Sequence, residues 1–283
     1  MKMDLHLVKS ENLMLDGGAM FGVIPKVLWS RQYPADENNR INISMRSLLV
    51  VDGERKILFD SGIGDKQDSK FFGFYFLNGN DTLDKSMAAL GLSVTDITDM
   101  VHTHLHFDHC GGSIRYGEDR SQLLTTFPNA TYWVSKPQWE LALNPNRLEG
   151  ASFLKENILP MQESGQLQLF EKEFELTSHV NIRLFNGHTA GQAIALIRYK
   201  DRTLVNIADL MPLMGNISMS WVCGYDTRPL LSLAEKADFL KESMEGGYCY
   251  YFYHDLEHEC CSLKDTPKGI RPDRSFSLSE FMA

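Results

Sequence analysis

No stretch of this chain approaches the run of about 18 apolar residues that a membrane-crossing helix requires, so no membrane partner is expected. The first residues place Asp4 and His6 where a secretory leader needs unbroken apolar side chains, and a cytoplasmic location follows as the default. Basic residues are in deficit. The net charge of -9 disfavours a general binder of phosphate backbones, which needs clustered Lys and Arg to displace counterions, so no nucleic-acid partner is expected. Cysteine is sparse and odd in number, with five in all and Cys260 next to Cys261, which does not read as a disulfide framework and suits reduced thiols. There is no low-complexity linker, no short-period repeat and no glycine-rich phosphate loop.

What remains is a chain of 283 residues, 43% hydrophobic and 23% charged, long enough to bury a sizeable core. Ser47 to Val51 and Lys56 to Phe59 are β-rich runs about Asp52-Gly53, a hairpin turn signal, and the second run ends at Asp60-Ser61-Gly62. Thr82 to Leu90 reads as a helix stopped by Gly91, and Lys136 to Leu143 as a helix capped by Ser135. Met100 to His102 is a short strand running into the densest histidine cluster of the chain. In the second half, Asn181 to Phe185, Ala193 to Tyr199 and Thr203 to Ile207 read as strands. Leu230 to Met244 carries Leu230, Leu233, Ala234, Ala237, Leu240 and Met244 at helical period, closed by Gly246-Gly247. Tyr248 to Tyr253 is an aromatic strand leading to His254. Strands and helices alternate, so the class is α/β or α+β. Asp60, the histidine cluster, His188, Asp209 and His254 each follow a predicted strand, where a rigid sheet can aim side chains into one cleft.

The segment from Thr103 to Gly112 packs His104, His106, Asp108 and His109 into six residues. In an extended segment His104 and His106 project to the same side, so both can ligate one metal. Asp108 and His109 follow at a turn and can face a second. Gly111-Gly112 lets the backbone turn away tightly. Imidazoles with carboxylates suit zinc, and also manganese, iron or cobalt.

The run His104-x-His106-x-Asp108-His109, followed by Gly-Gly, resembles the signature of the metallo-β-lactamase superfamily of hydrolases. Asp60-Ser61-Gly62 is similar to that family's early Asp-x-Gly strand end. Gly187-His188-Thr189-Ala190-Gly191 is similar to its Gly-His-Thr-Pro-Gly loop, with Ala190 in place of Pro. Ala208-Asp209 is similar to its Gly-Asp, and His254 to its last histidine. These motifs stand in family order from about residue 48 to 255. The resemblance implies one domain over residues 1–283 with the family's four-layer αββα sandwich. It implies two divalent ions, zinc in first place. His104, His106 and His188 would hold one and Asp108, His109 and His254 the other, with Asp209 bridging. Asp60 would hydrogen-bond a ligand imidazole from behind. His258 is the competitor for the role of His254.

Departures narrow the subfamily. His106 stands where the diiron flavoproteins carry Glu, and Asp209 where lactam-degrading enzymes carry Cys. The chain most resembles the branch of acyl-homoserine-lactone lactonases and organophosphate hydrolases. The chemistry so implied is attack by a hydroxide shared between the metals, with Asp108 and Asp209 as the catalytic carboxylates and Asp209 orienting the hydroxide. The substrate expected is a small molecule with an apolar acyl or aryl part: a lactone, an aryl ester or a phosphotriester. Met20, Phe21, Phe72, Phe76, Met214 and Trp221 are the candidates to line its pocket. Packing into the core is the alternative for the aromatic run from Phe71 to Phe76. Three other readings stand beside this one: a glyoxalase-type thioesterase, an iron-dependent oxidoreductase on the same ligands, and a metal-stabilised binding module. The last fits poorly, since a structural zinc site closes with four ligands. The lactonases carry a Tyr three residues beyond the bridging Asp, where this chain has Pro212; Tyr225 is a distant substitute. The oligomeric state is left open, a dimer included.

Overall fold

The computed structural model describes residues 3–283. The chain divides into two compact units. One holds the residues up to Asn12 with Met45–Lys172, the other Leu13–Ser44 with Glu173–Ala283. Both mix strands and helices, as the alternating sequence pattern predicts. Among the described residues no helix is long and apolar enough to cross a membrane. All five cysteines are free thiols and buried.

The first unit is built on a six-stranded sheet. Its strands run in sequence order from edge to edge: Met3–Lys9, Arg46–Asp52, Arg55–Phe59, Asp99–Val101, Thr131–Ser135 and Leu167–Phe170. The predicted hairpin is present, with Asp52 opposite Arg55. Beyond it the strands are parallel, Phe59 pairing with Val101 and Val101 with Trp133. Parallel pairing directs successive strand ends to one edge, so Asp60 and the histidine segment emerge side by side. The helix Lys136–Leu143 starts where Ser135 accepts the amide of Gln138, and the helix Leu83–Ala89 starts where Thr82 accepts that of Lys85.

The second unit carries a seven-stranded sheet, again in sequence order: Phe174–Thr177, Val180–Phe185, Gln192–Tyr199, Arg202–Asn206, Cys249–Tyr251, Cys260–Lys264 and Arg271–Phe276. All pairs are antiparallel except Arg202–Asn206 with Cys249–Tyr251. That parallel pair is joined by the long helix Pro229–Gly246, which ends in the left-handed cap Gly247.

Four details differ from the sequence reading. Asp108 and His109 lie in a one-turn helix, Phe107–Cys110, rather than at a turn. The strand predicted over 248–253 spans only Cys249–Tyr251, because the carbonyls of Tyr253 and His254 turn to the hydroxyl and amide of Ser44. The aromatic run is a helix, Ser69–Tyr75, and none of its residues is fully buried. The long helix is present, but its inward stripe is Ser232, Lys236, Phe239, Leu240 and Ser243, while Leu230, Ala234 and Ala237 face outward. Two contacts set that rotation. A Cβ on Gly187 would collide with Ser232, so the two backbones meet there, and the Lys236 ammonium reaches inward to three carbonyls.

Candidate metal centre

In the first unit the histidine-rich segment is anchored by its apolar members. Leu105 and Cys110 are fully buried in a core cluster with Leu58, Met100 and Tyr132. Burying a leucine of this kind contributes about 1.5–3 kcal/mol, which fixes His104 and His106 on either side of Leu105. Nε2 of His104 and Nδ1 of His106 come within 3.0 Å of each other, as expected of two donors facing one ion. The ring of His109 lies 4.0 Å from that of His104, and its Nε2 is 3.9 Å from Asp108 Oδ2. Gly111 and Gly112 pass against the backbone carbonyls of Ile63 and Ser61, leaving no room for a Cβ. The sequence reading of Gly-Gly as a tight exit is met by this close approach, and Lys66 secures it by donating to the carbonyls of Gly111 and Ile114. Burial lowers the Lys66 ammonium to about 8.

Asp60 accepts the amide and the hydroxyl of Thr103, and its Oδ2 lies 3.0 Å from Nδ1 of His109. It thus fixes the orientation of the His109 imidazole through Nδ1, as a residue behind a candidate metal ligand would. Glu149, which the sequence reading missed, lies 4% exposed with Oε1 3.7 Å from Nε2 of His106. The neighbouring His102 is buried and uncharged, its imidazolium pushed down to about 3 by burial and by His109.

In the second unit Asp209 lies in a short 3-10 turn, Ala208–Leu210, between Ile207, Leu210 and Met211 of a second core cluster. Ala208 takes a left-handed φ of 46° there, the position at which the family motif has glycine. Asp209 directs Oδ2 to Nε2 of His188 at 3.4 Å and Oδ1 to Nε2 of His254 at 3.5 Å. The far nitrogen of each imidazole is held. Nδ1 of His188 is 2.9 Å from Asp226 Oδ1, and Nδ1 of His254 donates to the carbonyl of Ser44 at 3.0 Å. Asp226 is a second residue missed by sequence reasoning, since it lies 38 residues from the histidine it orients. His258 instead meets the hydroxyl of Ser275 at 2.8 Å.

The seven expected ligands are all donors able to hold a metal ion, and the donor set of imidazoles and carboxylates fits a divalent cation. The candidate substrate residues divide by burial. Met20 and Phe21 are fully buried, the latter ringed by Trp29, Tyr33 and Trp221 at centroid distances of 5.3, 5.0 and 5.5 Å. Met214 and Trp221 are half-buried. Phe72 is half-buried and Phe76 is exposed, at the end of the aromatic helix. That helix lays Phe71 and Tyr75 on Phe107, with ring centroids 5.3 and 4.6 Å away, beside Asp108. Burial, with Asp108 adding to it, raises the Tyr75 phenol to about 12, so it stays a hydrogen-bond donor at neutral pH. Tyr225 is exposed.

Comparison with known proteins agrees with this chemistry. Residues 46–241 match the metallo-beta-lactamase superfamily domain. The chain belongs to that superfamily. It is 24% identical to an N-acyl homoserine lactonase of Bacillus cereus over 243 residues, covering 78% of this chain and 85% of the lactonase. Its backbone superposes on a probable metal-dependent hydrolase from Staphylococcus aureus with a TM-score of 0.87 and 28% identity, covering 97% and 98% of the two chains. It also superposes on AidC, a dizinc quorum-quenching lactonase bound to its product, with a TM-score of 0.77, 22% identity and coverage of 97% and 95%. The metallo-β-lactamase fold expected from the sequence is therefore present, and the chain is an enzyme of the superfamily's hydrolase type.

Proposed function

We propose that this chain is a dinuclear metal-dependent hydrolase that opens a small ester-like substrate, first of all a lactone of the acyl-homoserine type. Aryl esters and phosphotriesters stand next in order. The observation that carries the reading is the placement of Asp209, with one carboxylate oxygen turned to His188 and the other to His254. A carboxylate so placed is suited to bridging two cations. In this reading the 1–283 chain works as one domain, in the cytoplasm, where its five free thiols are at home. His104, His106 and His188 would hold one ion, and Asp108, His109 and His254 the other. Zinc is the first expectation for both.

Two divalent ions bound there would supply an activated water at neutral pH and would polarise the ester oxygen. The protein groups do the rest. Asp60 and Asp226 fix the imidazoles that they touch, so that each presents one chosen nitrogen. Asp209 would accept a hydrogen bond from the attacking water and orient it. Phe72, Phe76, Met214 and Trp221 would receive the apolar acyl or aryl part, with the buried Phe21 packed against Trp221 and Met20 buried beside it in sequence. The dizinc lactonase with its product, and the lactonases similar to this chain in sequence, support the choice of substrate class.

The test is a panel of N-acyl homoserine lactones, aryl esters, phosphotriesters and thioesters, assayed on zinc-loaded protein of measured metal content. Lactone opening with two equivalents of metal is expected. Turnover confined to glutathione-type thioesters would replace the proposal with a thioesterase.

A further inference from the structure

Asp60 lies directly after the strand Arg55–Phe59 with φ at 59°, a left-handed conformation that side-chain-bearing residues adopt at a cost. Its Oδ1 accepts the backbone amide of Thr103 at 2.8 Å. Its Oδ2 accepts the Thr103 hydroxyl at 2.7 Å and lies 3.0 Å from Nδ1 of His109. A carboxylate only accepts, so the hydroxyl proton of Thr103 points at Asp60. The oxygen of that hydroxyl then has lone pairs alone to offer to its other neighbour, which is Nδ1 of His104 at 3.1 Å. Nδ1 of His104 must therefore carry the imidazole proton, and Nε2 keeps its lone pair on the side of His106. Asp60, Thr103, His104 and His109 are all at most 2% exposed, so bulk water does not compete for these bonds.

We propose that Thr103 is a positioning residue whose hydroxyl extends the hold of Asp60 from His109 to His104. One buried carboxylate then sets the tautomers of two imidazoles that the dinuclear reading assigns to different ions, and the inference rests on that reading. A threonine needed only for packing would be replaced by valine at little cost. A relay needs the hydroxyl, which serine retains.

The experiment uses the full chain with 15N-labelled histidine. Long-range 1H–15N correlation spectra are recorded before and after chelation, alongside zinc affinities from competition with a chelating dye. In the wild type, His104 and His109 both appear as Nδ1–H tautomers, including after chelation. In Thr103→Val, His104 loses its fixed tautomer while His109 keeps its own, and one of two zinc equivalents binds roughly 10–100-fold more weakly, the scale of losing an outer hydrogen-bond partner. Thr103→Ser restores both readouts. The proposal is overturned by an Nε2–H tautomer of His104 in the wild type, by a valine variant that matches the wild type, or by a serine variant as impaired as the valine one. Should the valine variant not fold, the wild-type and serine tautomers decide the matter. A wild type that binds a single zinc yet shows the predicted tautomers would refute the dinuclear reading and leave the relay standing.

Discussion

Asp209 sets its Oδ1 3.5 Å from Nε2 of His254, while its Oδ2 lies 3.4 Å from Nε2 of His188. Both imidazoles are held at their far nitrogens, by Ser44 and Asp226, so the two distances reflect a built arrangement of three side chains. Asp209→Asn preserves the shape but replaces one charged oxygen with an amide nitrogen that cannot ligate. The expected outcome is loss of bound metal and a fall in turnover of about two to four orders of magnitude. Elemental analysis with rate measurement on the most active substrate of the panel checks it. Near-normal turnover would remove Asp209 from the bridging position.

His254 and His258 compete for the last ligand position in the sequence, and their surroundings differ. His254 is 2% exposed and faces Asp209. His258 is half-buried and meets Ser275, on the edge strand Arg271–Phe276. His254→Ala is expected to lose one equivalent of metal and most activity. His258→Ala should retain both, with a change in stability below about 0.5 kcal/mol, typical of a surface substitution. Metal content of the two variants, measured side by side, separates them; loss of metal from the His258 variant would move the last ligand four residues along the chain.

The candidate ligands were legible in the sequence because each follows a strand of ordinary β-rich pattern, and a dense His-x-His-x-Asp-His run has few other uses. Their outer partners were not. Asp226 lies in a loop with no periodic signal and reaches His188 only through the fold, and Glu149 approaches His106 from the stretch beyond the helix Lys136–Leu143. The long helix shows the limit of periodicity. Its apolar residues mark one stripe, yet the buried stripe includes Lys236 and two serines, because carbonyls at 218, 219 and 221 need a donor there. A pattern that counts only apolar residues misplaces part of the stripe: Leu240 is buried as the period predicts, whereas Leu230, Ala234 and Ala237 are exposed.

Asp226 provides the third test. Its Oδ1 is 2.9 Å from Nδ1 of His188, the nitrogen turned away from Asp209, so it is placed to orient the ring. Asp226→Ala should weaken metal binding roughly 10–100-fold, as loss of an outer partner generally does, while leaving the secondary structure intact. Asp226→Asn retains an acceptor oxygen and should fall between the two. Zinc competition titrations give the order directly, and equal affinities across all three proteins would show that His188 needs no such support.

Lys236 supplies a prediction in pH. Its ammonium is buried inside the second unit, donating to the carbonyl of Ser218 at 2.7 Å and to those of Met219 and Trp221 at 3.3 Å. Burial lowers it to about 7, against the partial compensation of Asp226 and with a further push down from Arg271. The unfolded chain keeps this amine protonated up to its ordinary value, near 10.4. Between about pH 7 and that value the unfolded state therefore holds more protons than the folded one, and folding stability gains with rising pH, by at most about 1.4 kcal/mol per pH unit for one proton. Below about pH 7 both states carry the proton, and the gain is absent. Lys236→Met removes the titrating group along with its three hydrogen bonds. The variant should be less stable than the wild type, and the gap should widen from pH 7 to pH 9.5. Urea unfolding at pH 6.5, 8 and 9.5 measures that gap. A constant difference across the series would mean that the buried amine keeps its proton throughout, held by the carbonyls around it.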